Sequence, residues 1–193
     1  MRKLIAISFV LAGLLAMIAG AAAAGDLNFK LKPLEGKKKV ELAKVLETGP
    51  ALIAFWATWC HPCQEELIHI QKLYEIYADS GMSFYAVSID DAKTASKVKA
   101  VAKGKRFTLP ILLDPEQEAM RTFGLSNVPG VYILDQDGKL LYQHTGYKSG
   151  DEAVLEVNVR TILKLVPRST APAVCDSAAC VTDSSCCPVK EDQ

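Results

Sequence analysis

Neither sign of charge is in excess in this chain: 22 Lys and Arg stand against 22 Asp and Glu. Without a basic surplus there is no electrostatic case for nucleic acid as a partner. No internal repeat is present, which sets aside the stacked-repeat architectures. No second CxxC lies between residues 25 and 166, so a zinc site would lack ligands there. Gln64, not His, follows Cys63, so the CxxCH of a c-type haem attachment is absent as well. The apolar stretch Leu4 to Ile18 falls short of the ~20 residues that a membrane span needs. No cysteine sits at the cleavage region that follows, so lipid attachment there is not indicated.

What is present begins with a leader. Arg2 and Lys3, then the uncharged stretch, then Ala21 to Ala24, form the pattern of a secretory signal peptide over residues 1–24. An uncleaved N-terminal anchor is the alternative. Cleavage after Ala24 removes two bases and no acid, leaving a net charge of −2. Export would put the six cysteines where disulfides persist, in the periplasm if the source is Gram-negative.

Residues 25–166 are long enough for one domain with a good core. Asn28 to Lys32 alternates and reads as a strand. Val40 to Leu46 reads as a short helix ended by Gly49 and Pro50. Ala51 to Ala57 is a continuous apolar run, the signature of a strand buried on both faces. From Pro62 the period changes: Leu67, Ile70, Tyr74 and Tyr77 line one helical face, and Gly81 ends the element. Met82 to Ile89 and Leu109 to Leu113 read as strands. Lys93 to Lys103, Pro115 to Phe123 and Asp151 to Val166 read as helices. Val131 to Leu134 and Leu140 to Gln143 form a hairpin around Asp135-Gln136-Asp137-Gly138. Alternating helices and strands followed by a hairpin predict an α/β sandwich with a mixed sheet. Residues 167–193 lack apolar periodicity and read as a flexible tail carrying Cys175, Cys180, Cys186 and Cys187.

The chemistry concentrates in Trp59-Cys60-His61-Pro62-Cys63, at a strand-to-helix turn. Two cysteines so spaced can cycle between dithiol and disulfide. The helix N-terminus favours a thiolate over a thiol, and the thiolate is the species that attacks another disulfide. A purely structural disulfide closing so small a loop would gain little chain entropy.

The segments FWATWCHPCQEEL, FYAVSIDD, LPILLDPEQEAMRTFGLSNVPG and VYILDQDGKLLYQHTG resemble the thioredoxin superfamily. Within it they are most similar to exported thiol–disulfide oxidoreductases of the TlpA/ResA type. The resemblance implies a thioredoxin-like three-layer sandwich, with a four- or five-stranded central mixed sheet flanked by helices. It also implies that Lys93 to Leu113 is an insertion. It further implies that Pro129 is cis and faces the dithiol, exposing the Val128 backbone for strand-like pairing with substrate.

On this reading Cys60 is the attacking thiolate and the more exposed sulfur, and Cys63 resolves the mixed disulfide. His61, if protonated, would stabilise a thiolate, favour the reduced form and so push the pair toward oxidising behaviour; otherwise it is a solvated residue at a helix start. Glu66 lies one turn beyond Cys63 on the same face. It would accept a proton from Cys63 or raise the thiol pKa, unless it is an exposed helix charge like its neighbour Glu65. Ala54 stands where cytosolic thioredoxins carry a buried acid, which makes Glu66 the substitute. Trp59, with His61 and Pro62, would form a docking surface around the disulfide, whereas Trp56 reads as core. Gly130 stands where the family commonly has Thr, which suggests a looser loop. The arrangement of Thr58 and Cys60 does not match a thioredoxin-fold peroxidase.

The expected function is an exported thiol–disulfide oxidoreductase acting on protein disulfides or dithiols, as a reductant, for example in cytochrome c maturation. A membrane thiol protein would be its electron donor, and no cofactor or metal is expected at the dithiol. The alternatives are a disulfide-forming oxidase and a metal-binding protein using the tail thiolates. For the tail itself, local disulfides come first, an electron relay second and a metal arm third.

Overall fold

A run of six apolar residues, Ala51 to Trp56, is buried at every position, so both of its faces must be covered by other elements. The computed structural model describes residues 27–165. The leader (1–24) and the cysteine tail (167–193) lie outside the described residues. The elements are β1 (Lys30–Pro33), β2 (Val40–Glu41), α1 (Leu42–Leu46), β3 (Ala51–Trp56), α2 (His61–Tyr77), β4 (Ser83–Ser88), α3 (Ala95–Lys105), β5 (Ile111–Leu113), α4 (Glu118–Thr122), β6 (Gly130–Leu134), β7 (Leu140–Thr145) and α5 (Asp151–Ile162).

The strands form one mixed sheet in the order β2-β1-β5-β4-β3-β6-β7. β3, β4 and β5 run parallel, from Ala51↔Ser83 to Trp56↔Ser88 and from Ala86↔Ile111 to Ser88↔Leu113. The remaining pairs are antiparallel. α2 and α3 serve as the crossovers that parallel neighbours require, so the expected insertion is a helix and a strand built into the sheet. The sheet therefore has seven strands, where the resemblance implied four or five. The additional pair is β1 with β2, in which Leu31 pairs with Val40. Val40 and Glu41 extend the sheet before the short helix begins, because a β-branched residue beside a free strand edge is better placed in a ladder.

Register separates the two faces. Leu52, Ala54 and Trp56 share a face with Phe84 and Ala86 of β4 and with Val131 and Ile133 of β6. This face carries α2, whose Tyr74 meets Phe84 edge-on, and Phe107, whose ring meets Trp56 at 6.3 Å. On the opposite face Phe55, Tyr132, Phe123 and Phe29 form an aromatic cluster. α2 packs on α5, where Arg160 donates to the Tyr77 hydroxyl (3.1 Å), which donates to Glu156 (3.2 Å).

Two buried polar side chains tie loops to this frame. The Asp114 carboxylate accepts the N–H groups of Glu118 and Met120, at 2.9 and 3.0 Å. It thereby starts α4 at Glu118, later than the Pro115 read from the sequence. Gln71 of α2 accepts the N–H groups of Thr108 and Leu109, at 2.8 and 3.0 Å, and donates to the Thr108 hydroxyl at 2.6 Å. Replacing Gln71 with Ala leaves two backbone donors unpaired beneath α3. A loss of about 2–3 kcal/mol of stability is expected, because an orphaned buried donor costs its full desolvation. Urea denaturation of Gln71→Ala measures it; a loss within experimental error contradicts the assignment.

Candidate active site: a dithiol at a helix start

β3 ends at Trp56, and the chain turns through Ala57, Thr58 and Trp59 to Cys60. Cys60 is the N-cap of α2, with φ −93° and ψ 101°, and its Sγ accepts the Cys63 N–H at 3.3 Å. The two cysteines form a disulfide with Cα atoms 5.3 Å apart. Cys60 thus occupies the position where unpaired N–H groups and the positive end of the helix dipole converge, which favours a thiolate there after reduction. Pro62 sits in the first turn, where its missing N–H forfeits no bond. Cys60 is 7% exposed and Cys63 0%, so Cys60 is the outer of the two, as expected.

A buried carboxylate fixes the approach to the dithiol. Asp90, just beyond β4, accepts the Thr58 N–H (2.9 Å) and its hydroxyl, and the Ser88 hydroxyl at 2.9 Å. Gln64 of α2 donates to the Thr58 carbonyl at 2.8 Å. The loop before Cys60 is thereby tied to the end of β4 and to the first turn of α2. Sequence reasoning missed Asp90. The only signal was an acid at the carboxyl end of a strand running parallel beside β3.

Glu66 is 5% exposed, one turn along α2 from Cys63; its neighbour Glu65 is exposed. Burial first, and then the negative charge of Asp151, push its pKa up from 4.5 to about 8. At neutral pH the group is mostly the carboxylic acid, and its carboxylate fraction grows toward pH 8. It faces a small cavity of about 10 Å³, lined also by His69, Val131, Tyr142, His144, Tyr147, Asp151, Glu152 and Leu155. Val131 is the register partner of Ala54, so Glu66 lies over the sheet face to which Ala54 contributes no acid. Neither cysteine lines this cavity or the larger clefts of about 470 Å³ beside α3 and about 610 Å³ beside β2.

The remaining expected residues divide. Trp59 is 65% exposed and so is not packed into the core, whereas Trp56 is fully buried. The His61 side chain is 80% exposed, with Nε2 3.3 Å from Glu65. The Val128–Pro129 bond is cis. Since Gly130 pairs with Phe55 near the end of β3, this bond lies at the same end of the sheet as the dithiol. Gly130 corrects one expectation. A Cβ there would stand 2.7 and 2.8 Å from the Leu125 methyls, so the missing side chain is replaced by Leu125 packing and the loop is filled rather than loose. Among the described residues, no cluster of three His, Cys, Asp or Glu side chains could hold a metal, and no helix is long and apolar enough to cross a membrane.

A dithiol capping a helix beside a buried acid, on this sheet, defines a thioredoxin-like thiol–disulfide oxidoreductase. The chain belongs to the AhpC/TSA family, whose profile matches residues 22–143. It is 33% identical over 125 residues to the thiol-disulfide oxidoreductase ResA of Bacillus thuringiensis, covering 65% of this chain and 70% of that protein. It is 25% identical over 146 residues to the sporulation thiol-disulfide oxidoreductase A of Bacillus subtilis, covering 72% and 87%. The solution structure of a thioredoxin-like protein from Porphyromonas gingivalis is similar at a TM-score of 0.58 and 40% identity, covering 70% of this chain and 89% of that one.

Because the Glu66 pKa is raised on folding, the unfolded chain loses a proton that the folded one keeps between about 4.5 and about 8. The sign follows: Glu66 costs no stability below this window, and its cost grows as pH rises through it. Glu66→Gln is therefore expected to gain on the parent protein across the window and to level off above it, by up to a few kcal/mol. Denaturation at a series of pH values checks this; parallel stability curves for the two proteins contradict it.

Proposed function

We propose that this protein is an exported reductant of protein disulfides, working through Cys60, Cys63 and Glu66. The observation that carries the reading is a buried carboxyl one turn from the resolving cysteine, with its pKa raised to about 8. A group of that kind is matched to proton transfer near neutral pH. Once ionised, it also opposes a second negative charge on the dithiol. A reduced pair that is not stabilised as thiolate is a better electron donor, the reverse of the strong oxidants.

The Cys60 thiolate attacks a substrate disulfide, forms a mixed disulfide and expels one substrate thiolate, which takes a proton from solvent. Cys63 gives its proton to Glu66 in the fraction of molecules in which that carboxyl is ionised, a fraction that grows as pH approaches about 8, and attacks the Cys60 sulfur. The second substrate thiolate leaves and is protonated in turn. Two electrons and two protons end on the substrate, and Cys60–Cys63 is left oxidised. A thiol donor must then restore the dithiol, and a membrane thiol protein is the class that fits an oxidising compartment. Substrates would be exported proteins with accessible disulfides, apocytochrome c among them. They would dock on Trp59, His61 and Pro62, all exposed. Among the described residues neither the N–H nor the C=O of Val128 has a backbone partner, which leaves both for strand-like pairing beside Pro129.

The opposite direction would require a His61 charge at Cys60. The exposure of that side chain screens any such charge, and the Glu65 carboxyl at 3.3 Å offsets its reach to Cys60. The working unit is residues 25–166, with residues 1–24 as the export signal and residues 167–193 as a cysteine-bearing tail.

Cys60→Ser is expected to abolish disulfide reduction, and Cys63→Ser to accumulate mixed disulfides with substrate. The reduction potential, read on the Cys60–Cys63 peptide so that tail cysteines do not contribute, is expected near or below ~ −230 mV. A value of ~ −120 mV would mark an oxidant and reverse the proposed electron flow.

A further inference from the structure

The cavity beside Glu66 holds a second acid whose surroundings are the opposite of its own. Asp151 is the first residue of α5. Its Oδ2 accepts the Lys148 N–H at 2.8 Å and lies 3.1 Å from His144 Nε2. A helix start, a backbone donor and an imidazole all stabilise a carboxylate. Its pKa is accordingly lowered, first by the Lys148 N–H and then by His144. Asp151 therefore keeps its negative charge through the neutral range in which Glu66 gains and loses its proton. Two carboxyls on one cavity wall, one held ionised and one held neutral, form an arrangement that divides roles between acids.

We propose that Asp151, fixed by Lys148 and His144, is a positioning residue that sets the pH at which Glu66 releases its proton and thereby tunes the dithiol. This rests on the reading of Glu66 as the proton partner of Cys63.

The other groups facing Glu66 leave Asp151 as the controlling charge. From its own helix comes His69, whose ring lies 6.1 Å from that of Tyr147. From β6 comes Val131, which is apolar. From β7 come His144 and Tyr142, and from the following loop Tyr147. Tyr142 is pushed toward the neutral phenol by burial, by Asp151 and by Glu66, so it registers the same two acids. From α5 comes Glu152 beside Asp151. Its carboxylate is engaged elsewhere, accepting the Gly150 N–H at 2.8 Å and the Tyr147 hydroxyl at 3.2 Å. The Asp151 charge thus acts on Glu66 across the cavity they share, while His144 holds the carboxylate in place.

The test is the reduction potential of Cys60–Cys63 as a function of pH in the full chain, read on the Cys60 peptide after alkylation. The parent protein is expected to show a change of slope where Glu66 ionises, and Glu66→Gln to lack it. Asp151→Asn removes the facing charge, so the change of slope is expected at lower pH. Asp151→Glu retains the charge and is expected to restore it toward the parent position. Asp151→Ser, a residue suited to a helix start, is a second uncharged variant if Asn disturbs folding. A change of slope that is lost in Glu66→Gln but unmoved in both uncharged Asp151 variants overturns this proposal alone. A change of slope that persists in Glu66→Gln overturns the reading of Glu66, and this proposal with it.

Discussion

The redox site depends on one joint: Cys60 is at once the end of a buried strand's turn, the cap of a long helix and half of a disulfide. β3 is covered on both faces and cannot shift without disrupting the core. α2 starts where Cys60 accepts the Cys63 N–H. The bond that caps the helix and the sulfur that reacts therefore belong to one side chain. Asp90 and Gln64 then hold the short loop between strand and helix from two sides. The attacking atom is placed by secondary structure, as a preorganised site requires.

Once that joint is fixed, the character of the dithiol depends on competing charges. The helix end favours a thiolate on Cys60. Glu66, buried one turn beyond Cys63, opposes further negative charge when it ionises and supplies an acid when it does not. Asp151 and its partners belong to α5, the loop before it and β7, far along the chain. α5 therefore does more than cover the sheet: its first turn brings a fixed charge to the cavity beside Glu66. A protein of the same topology with a neutral residue at position 66 would lose the acid and most of the opposition to thiolate at once.

Much of this was legible in the sequence, and the reasons are local. The apolar run, the change to a helical period at Pro62 and the CxxC between them depend on neighbours along the chain, and the strand, helix and joint appear where they were read. Glu66 was readable as the right offset, though its burial was not, because burial depends on β6, β7 and α5 folding over it. The short β2, the Asp90 clamp and the Asp151–His144 pair were invisible for the same reason: each is made by residues distant in sequence. Gly130 shows how a local reading misleads. A missing side chain suggests slack, yet Leu125 fills the space from another element.

The most direct measurement is a carbon-13 NMR titration of the Glu66 side-chain carboxyl in the oxidised protein. The account requires an inflection near 8. An inflection at the ordinary value of 4.5 would mean that the group is a solvated carboxylate, and would contradict the buried acid that exchanges a proton with Cys63 near neutral pH.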